Sequence, residues 1–370
     1  MGKQIRCRLT LADRETHSSQ VLAGFRMLER RGMLRIADYR ETDLKAAGQY
    51  EHRSVVEAEI EGKRLAYDTA DGYQSIHRFD VWDAQLDRLD AYFKRSCRTD
   101  YHNGMKNATK IRPLGLNYHI SCPRNPFDKP AKESVPATIK RRLLHYYTAY
   151  YPECFAFYEH FEAYRALFVC RLWDASGISA AQIQEAYPYF SAAQAKAEAE
   201  RWTESLEGCN RNRIAVLRAL QEGLGDQFFG GLEASPLAER LARDLILPTE
   251  TASKAAHMRR MREGFVCIAT EGLHHSLGWK LGEAVAASKA ILSEPLFYEL
   301  PGEFLPAQNY IPFSTPEDCV TEAARLLSDV SRIHAMETAN HTYYEKHVRP
   351  DCMIANSLRE AAIFPEGQSK

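Results

Sequence analysis

Hydrophobic positions in the first seventy residues change period twice, and each change marks an element. Residues 5–11 alternate apolar with basic or hydroxyl side chains, as a half-buried strand does. Residues 21–31 then place Val21, Leu22, Phe25 and Leu28 on one helical face, with Gly32 as a stop. Residues 55–60 and 63–68 are two further strands joined at Glu61-Gly62, a hairpin pattern. The second of them runs into YDTADGY, so Asp68 and Asp71 fall at a strand end. Residues 82–89 read as a short helix, 91–97 (AYFKRSC) as a strand and 110–120 as the last element of this half.

The pattern breaks at 121–136, where CPRNPFDKPAKESVP has the composition of a linker. Residues 138–163 are aromatic and basic, and read as a helix. A strand-first rhythm follows at 167–172 (LFVCRL), with helical stretches at 180–207 and 212–222, strand and turn at 225–232, and a basic helix at 255–262. Residues 265–269 are an unbroken apolar run, as expected of a strand covered on both faces. Helical pattern resumes at 283–289 and strand pattern at 290–293. Strands alternating with helices over 167–329 predict a parallel, doubly wound sheet.

Composition narrows the class. The chain has 370 residues, 45% hydrophobic and 26% charged, enough for two domains of ordinary size. No apolar run is long enough to span a bilayer. The opening MGKQIRCRLTLADRE is charged and strand-like, unlike a signal peptide. Nine cysteines are scattered at positions 7, 97, 122, 154, 170, 209, 267, 319 and 352, none in a CxxC pair. That pattern argues against a disulfide framework or a zinc site and predicts a reducing cytoplasm. A net charge of −1 excludes a grossly basic nucleic-acid binder. Two local basic clusters, Arg26, Arg30, Arg31 and Arg35, and Lys140, Arg141 and Arg142, suit solvated helix faces or contact with anionic lipid headgroups.

The chemistry concentrates in 263–295. After the apolar strand come Gly272, Gly278 and Gly282, interleaved with His274, His275, Ser276, Trp279 and Lys280. A loop that leaves the carboxyl end of a parallel strand and enters a helix presents free N–H groups and a positive dipole end. Lys280 adds a full charge, and the combination suits a diphosphate. Trp279 is expected to pack beneath the loop.

Three stretches carry a resemblance. EGLHHSLGWKLGEAVAASKAILSE (271–294) resembles the donor-binding segment of GT-B-fold glycosyltransferases. NYIPFSTPEDCVTEAARLLSD (309–329) resembles the stretch after that site, and HTYYEKHVRPDCMIANSL (341–358) the final helices that cross back to the first domain. The likeness weakens over 165–248 and is only architectural before that. It implies an α/β chain of two Rossmann-like domains facing across a cleft: 1–122 on the acceptor side, 123–164 as linker and connecting helix, 165–330 for the nucleotide-sugar, and 331–370 crossing back.

The resemblance also implies a donor site of Arg171, Glu271, His274, Ser276, Gly278, Lys280 and Glu283. Arg171 would reach the donor phosphates, unless it simply pairs with Asp174. Glu283, at the start of the helix, would accept from the ribose hydroxyls. Many retaining members carry two glutamates closer together than Glu271 and Glu283, which have eleven residues between them. An inverting enzyme needs a base for the acceptor hydroxyl, and Asp68 and Asp71 are both candidates, as they are equally good turn residues. Lys94 and Arg95 would line the same cleft, and His17, Ser18 and Ser19 form a polar loop after the first strand.

The expected activity is sugar transfer from a nucleotide-sugar to a glycan or lipid-linked acceptor in surface polysaccharide or lipopolysaccharide synthesis. It needs no metal and no cofactor beyond that co-substrate, and would take place at the inner face of the membrane or in the cytoplasm. A nucleotide-sugar epimerase of the same fold and a non-catalytic nucleotide-binding scaffold are the alternatives.

Overall fold

Alternation in the first seventy residues becomes a six-stranded sheet in the structure, a computed structural model that describes residues 5–13, 16–50, 52, 54–125, 136, 139 and 150–365. Its strands are β1 (Arg6–Leu11), β2 (Arg35–Glu41), β3 (Val55–Ile60), β4 (Lys63–Asp68), β5 (Ala91–Lys94) and β6 (Ile111–Pro113), in the order β2-β1-β3-β4-β5-β6. Only β3 runs against its neighbours. The β3–β4 hairpin closes at Glu61 (φ 49°) and Gly62 (φ 82°), the left-handed pair that a two-residue turn between twisted strands requires. One face of this sheet packs Leu9, Val56, Ala58 and Tyr67 against Val21, Leu22, Phe25 and Leu28 of the Ser19–Arg30 helix. The other packs Val55, Ala66 and Tyr92 against Trp82 and Leu86.

The second sheet contains β7 (Arg165–Cys170), β8 (Phe228–Leu232), β9 (Phe265–Ala269), β10 (Ile291–Ser293) and β11 (Ile311–Pro312), in the order β11-β10-β9-β7-β8. All its pairings are parallel. Ala166, Phe168, Val266 and Ile268 face Val216, Leu217 and Leu220 of the Ala192–Leu224 helix, and Leu167, Val169, Cys267 and Ala269 face Met258, Leu281 and Val285. Helices cover both faces, so the sheet is doubly wound, as its strand rhythm predicted. The chain leaves β7 toward β8 on one side and returns to β9 on the other. The switch point therefore lies between β7 and β9.

Local boundaries differ from the sequence pattern in several places. The element expected at 110–120 is a strand over Ile111–Pro113 alone. The helix expected at 138–163 falls largely outside the described residues, and within 150–163 only Pro152–Phe155 is helical. The helical stretches expected at 180–207 and 212–222 are instead Ala180–Ala186 and a single 33-residue helix, Ala192–Leu224. The break falls at Pro188, and a capping box from Ser191 and Gln194 restarts the helix. Strand β2 was not anticipated: RIADYRE is an edge strand with no buried position, so it lacks apolar alternation. The helix expected from Glu283 begins earlier, at Trp279, which puts Glu283 in its second turn.

The two lobes share one apolar cluster that includes Tyr92, Tyr118, Leu281, Ala284 and Tyr344. The Val330–Tyr343 helix buries Ile333 and Met336 against the second sheet. The following Pro350–Glu360 helix lies on the first lobe, where Tyr67 Oη meets Ser357 Oγ at 2.8 Å. Gly24 permits that docking, because a Cβ there would sit 2.3 Å from the Pro350 carbonyl oxygen. Two Rossmann-like lobes are the fold class the resemblance implies. Of the early basic cluster, Arg26 pairs with Glu29 and Arg31 with the buried Asp351. Lys140, Arg141 and Arg142 lie outside the described residues. No helix among the described residues is long and apolar enough to cross a membrane.

Candidate functional site

A cavity of about 470 Å³ opens between the lobes at the carboxyl ends of β7 and β9, beside the switch point where open α/β sheets bind ligands. A larger concavity of about 780 Å³ lies under the Pro350–Glu360 helix. Its central charges are spent on one another: Arg31 and Arg349 both pair with Asp351, and Arg349 also pairs with Glu345. The smaller cavity is the one with convergent polar groups.

Its floor is the loop from Thr270 to Gly278. Gly272 N–H donates to the Ser276 carbonyl (2.7 Å) and Ser276 N–H to that of Leu273 (2.9 Å), while His274 and His275 take left-handed φ values of 55° and 60°. A Cβ on Gly272 would lie 2.3 Å from Ser276 Oγ and 3.1 Å from the Ser276 carbonyl oxygen, so a larger residue would make the Ser276 side chain turn away and the loop give slightly. Gly278 is the N-cap of the Trp279–Ala286 helix and offers no side chain to cap it. The first N–H groups of the helix, with its positive dipole end, thus face the cavity without a side-chain acceptor.

Cations surround that helix end. Lys280 (34% exposed) stands 3.7 Å from Glu283, and Lys254 makes a tighter pair with the same carboxylate. His257 Nε2 lies 3.1 Å from it. Burial alone would raise the Glu283 carboxyl, but Lys254 and Lys280 outweigh it and hold the group well below the usual range. Burial, with Lys280 beside it, pushes His257 down to about 4, so it is neutral at pH 7. Arg213, from the long helix, is nearly buried and stacks 3.8 Å above the Trp173 ring. It is anchored by the Arg171 carbonyl (2.8 Å) and aimed across the Thr270 hydroxyl (3.4 Å). Arg171 lines the cavity from the end of β7, and Asp174 turns instead to the Ser176 N–H (2.9 Å), so the two do not pair. Five cations (Arg95, Arg171, Arg213, Lys254, Lys280) thus face three carboxylates (Asp71, Glu233, Glu283), an excess that favours a bound anion.

The opposite wall separates the two candidate aspartates. Asp68 is fully buried and accepts from Lys94 Nζ (2.7 Å), Tyr92 Oη (2.7 Å) and the Ala70 N–H (2.8 Å), with His52 Nε2 at 3.3 Å. Burial would raise its carboxyl, but His52 and Lys94 hold it far below the carboxylate range. It faces the interior with Lys94, and neither lines the cavity. Asp71 does line it, partly exposed, with one oxygen 2.8 Å from Arg95. Arg95 is buried and also donates to the Leu277 carbonyl (2.5 Å) and His17 Nδ1 (2.9 Å).

His17 Nδ1 receives a second donor, Trp279 Nε1 at 3.1 Å, which also reaches Asn117 Oδ1 at 3.0 Å. Two groups that can only donate converge on Nδ1 against a single acceptor, Asn117 Oδ1 at 3.2 Å, a balance that favours the ring proton on Nε2. Burial and then Arg95 push His17 down to about 4, keeping the ring neutral. Trp279 therefore does not pack beneath its own loop. It bridges the lobes and lines the cavity. Ser18 and Ser19 are buried within the first lobe, away from the cleft.

Of the residues expected from sequence, Arg171, Ser276, Gly278, Lys280, Glu283 and Asp71 come together on this cavity. Three do not. Asp68 is in the interior. Glu271 turns to His275 Nδ1 (2.7 Å) on the far side of the loop. His274 packs edge-on to Trp202, 5.3 Å between centroids, where burial pushes it down to about 4. The left-handed turn at His274–His275 directs these two rings out of the cavity, and His275 Nδ1 holds the Glu271 carboxylate on that outer side, while Leu273 and Ser276 still face inward. Arg213, Lys254, Trp173 and Glu233 were not anticipated. Lys254 had a weak signal, standing at the head of a basic helix after Ser253. Arg213 had none, being one of several arginines on a long helix.

No family model matches the chain, and no curated protein matches it. Among solved structures, Anabaena Alr3699/HepE in complex with UDP aligns over 91% of this chain and 89% of that one, at 9% identity and a TM-score of 0.38. The same protein in complex with UDP and glucose aligns over 90% and 89%, at 10% identity and a TM-score of 0.36.

Proposed function

We propose that the chain transfers a glycosyl group from a nucleoside-diphosphate sugar to a hydroxyl of a glycan or lipid-linked acceptor. One observation supports this reading above the rest. An uncapped helix N-terminus ringed by Lys254, Lys280, Arg171 and Arg213 lies across a single cavity from the Asp71–Arg95 pair. One wall suits a departing diphosphate and the other suits a hydroxyl about to lose its proton.

The donor phosphates lie over Gly278 and Lys280. As the glycosidic bond breaks, charge builds on the diphosphate, and preoriented N–H groups and fixed cations stabilise it without reorganising. Glu283 holds Lys254 and Lys280 in place and is the candidate partner for a ribose hydroxyl. Asp71 takes the acceptor proton. Arg95 occupies one of its oxygens and aims the other, a positioning role. His17, with its proton on Nε2, donates a hydrogen bond to substrate and is the wrong tautomer for a base at that nitrogen. A base on the wall opposite the leaving group favours inversion at the anomeric carbon.

The test is a thermal-shift panel of UDP, GDP, CMP and ADP, followed by transfer assays with the matching nucleotide-sugar and glycan or lipid-linked acceptors. A ligand at a hundred times its Kd adds about 2.7 kcal/mol of stability, several degrees in Tm. No shift from any nucleotide at millimolar concentration would defeat the proposal. Conversion of the donor to an epimer without acceptor would replace transfer by epimerisation.

A further inference from the structure

We propose that His160, His334 and Glu337 form a binding site for one divalent transition-metal ion of the zinc class, remote from the inter-lobe cavity. One ligand atom from each residue lies within 4.8 Å of those of the other two. His334 and Glu337 are three apart on the Val330–Tyr343 helix and so share a face, and His160 reaches them from the segment leading into β7. Two imidazoles and a carboxylate are the donor set that borderline cations select over calcium or magnesium.

The surroundings are built as a metal's outer shell is built. His334 Nε2 donates to the Phe161 carbonyl (2.9 Å), which in a neutral ring leaves Nδ1 as a lone-pair donor. His160 Nε2 lies 3.3 Å from the Tyr158 hydroxyl, while its Nδ1 meets Glu337 Oε2 at 2.7 Å. Tyr164 Oη donates to that same carboxylate oxygen (2.9 Å). The two histidine rings lie against each other, 4.3 Å between centroids.

The independent sign is Glu337 itself. Its side chain is 1% exposed, and among the described residues Oε1 has no hydrogen-bond partner. A buried carboxylate oxygen left bare is costly. Lys289 lies close enough to share charge with Glu337 but makes no hydrogen bond to Oε1, because it donates to the Glu263 carbonyl (2.9 Å) and faces the Phe157 and Phe161 rings.

A tetrahedral ion with bonds of about 2.1 Å holds its ligands roughly 3.4 Å apart, so the cluster closes on one by a shift of about an ångström. His160, 36% exposed, is free to make that shift. On binding, the ion replaces the proton between His160 Nδ1 and Glu337 Oε2. That proton takes up the Nε2 position, from which it is donated in a hydrogen bond to the Tyr158 hydroxyl. Water completes the coordination. The ion staples the connector before β7 to the helix that precedes the crossing into the first lobe.

The experiment uses the full chain stripped with EDTA and titrated with Zn²⁺ and, separately, Co²⁺. The expected result is one ion per chain, visible d–d bands of four-coordinate Co²⁺ without a near-ultraviolet thiolate band, and a rise in Tm. His160→Ala and His334→Ala each weaken binding more than about tenfold, the loss seen even for supporting partners. His160→Ala removes an exposed ring and so tests the site without threatening the fold. Three outcomes overturn the proposal: no stoichiometric uptake, a thiolate band showing cysteine ligation, or uptake and Tm shift unchanged in both histidine variants.

Discussion

Replacing Lys280 by alanine tests the site at the point where charge and geometry meet. At an effective dielectric of about 20 and a separation of about 5 Å, one ammonium–phosphate pair is worth roughly 3 kcal/mol. The Lys280 side chain is 34% exposed, and solvent screening trims that to about 2 kcal/mol, roughly thirtyfold in Kd. The fold should survive. Glu283 keeps Lys254 and His257, so the variant loses only a peripheral member of the cluster, at about 1 kcal/mol or less. The assay is calorimetric titration of wild type and variant with the nucleoside diphosphate that the panel selects and with its parent nucleoside. Diphosphate affinity should drop about thirtyfold, nucleoside affinity should hold, and the salt dependence of diphosphate binding should flatten. Equal losses for both ligands would mean that Lys280 supports the loop and not the phosphates. An unchanged diphosphate affinity would remove it from the site.

Two further predictions separate roles that proximity alone confuses. Asp71→Asn should lower transfer at least about a hundredfold while nucleotide affinity stays near wild type. Asp68→Asn should instead leave Lys94 buried without its counter-charge and cost about 3–5 kcal/mol in urea denaturation. Similar stability in the two variants would contradict the assignment. The buried His102 and His257 are both pushed from 6.5 down to about 4, chiefly by burial, so the unfolded chain binds their protons first. Stability is therefore full above pH 6.5 and falls on acidification toward pH 4, by up to about 1.4 kcal/mol per unit for each histidine. A urea midpoint that stays flat across that interval would rule this out.

What the chain discloses before its coordinates are seen follows a physical pattern. The β3–β4 hairpin and the apolar β9 run were legible, because alternation and burial on both faces leave direct marks on sequence. The glycine-punctuated loop that enters the Trp279–Ala286 helix was legible too, since glycines between a strand and a helix mark a tight turn. The direction of individual side chains was not. Asp68 and Asp71 are three residues apart, yet one ends its strand facing Lys94 and the other faces the cleft. Glu271 and His274 lie within the same segment but point out of the cavity beside two consecutive left-handed histidines, a backbone too uncommon outside glycine to be read from sequence. Arg213 and Trp279 depend on contacts across 42 to 262 positions of chain, and only the assembled fold brings those together.

The polypeptide passes between the lobes twice, once before β7 and again between the Val330–Tyr343 and Pro350–Glu360 helices. A body pinned at two points keeps one easy freedom, rotation about the line that joins them. Any parting of the lobes is accordingly a swing on a fixed axle, made against the apolar cluster that the two share. Cutting the chain after the Val330–Tyr343 helix would turn that axle into a ball joint without touching either wall of the cavity.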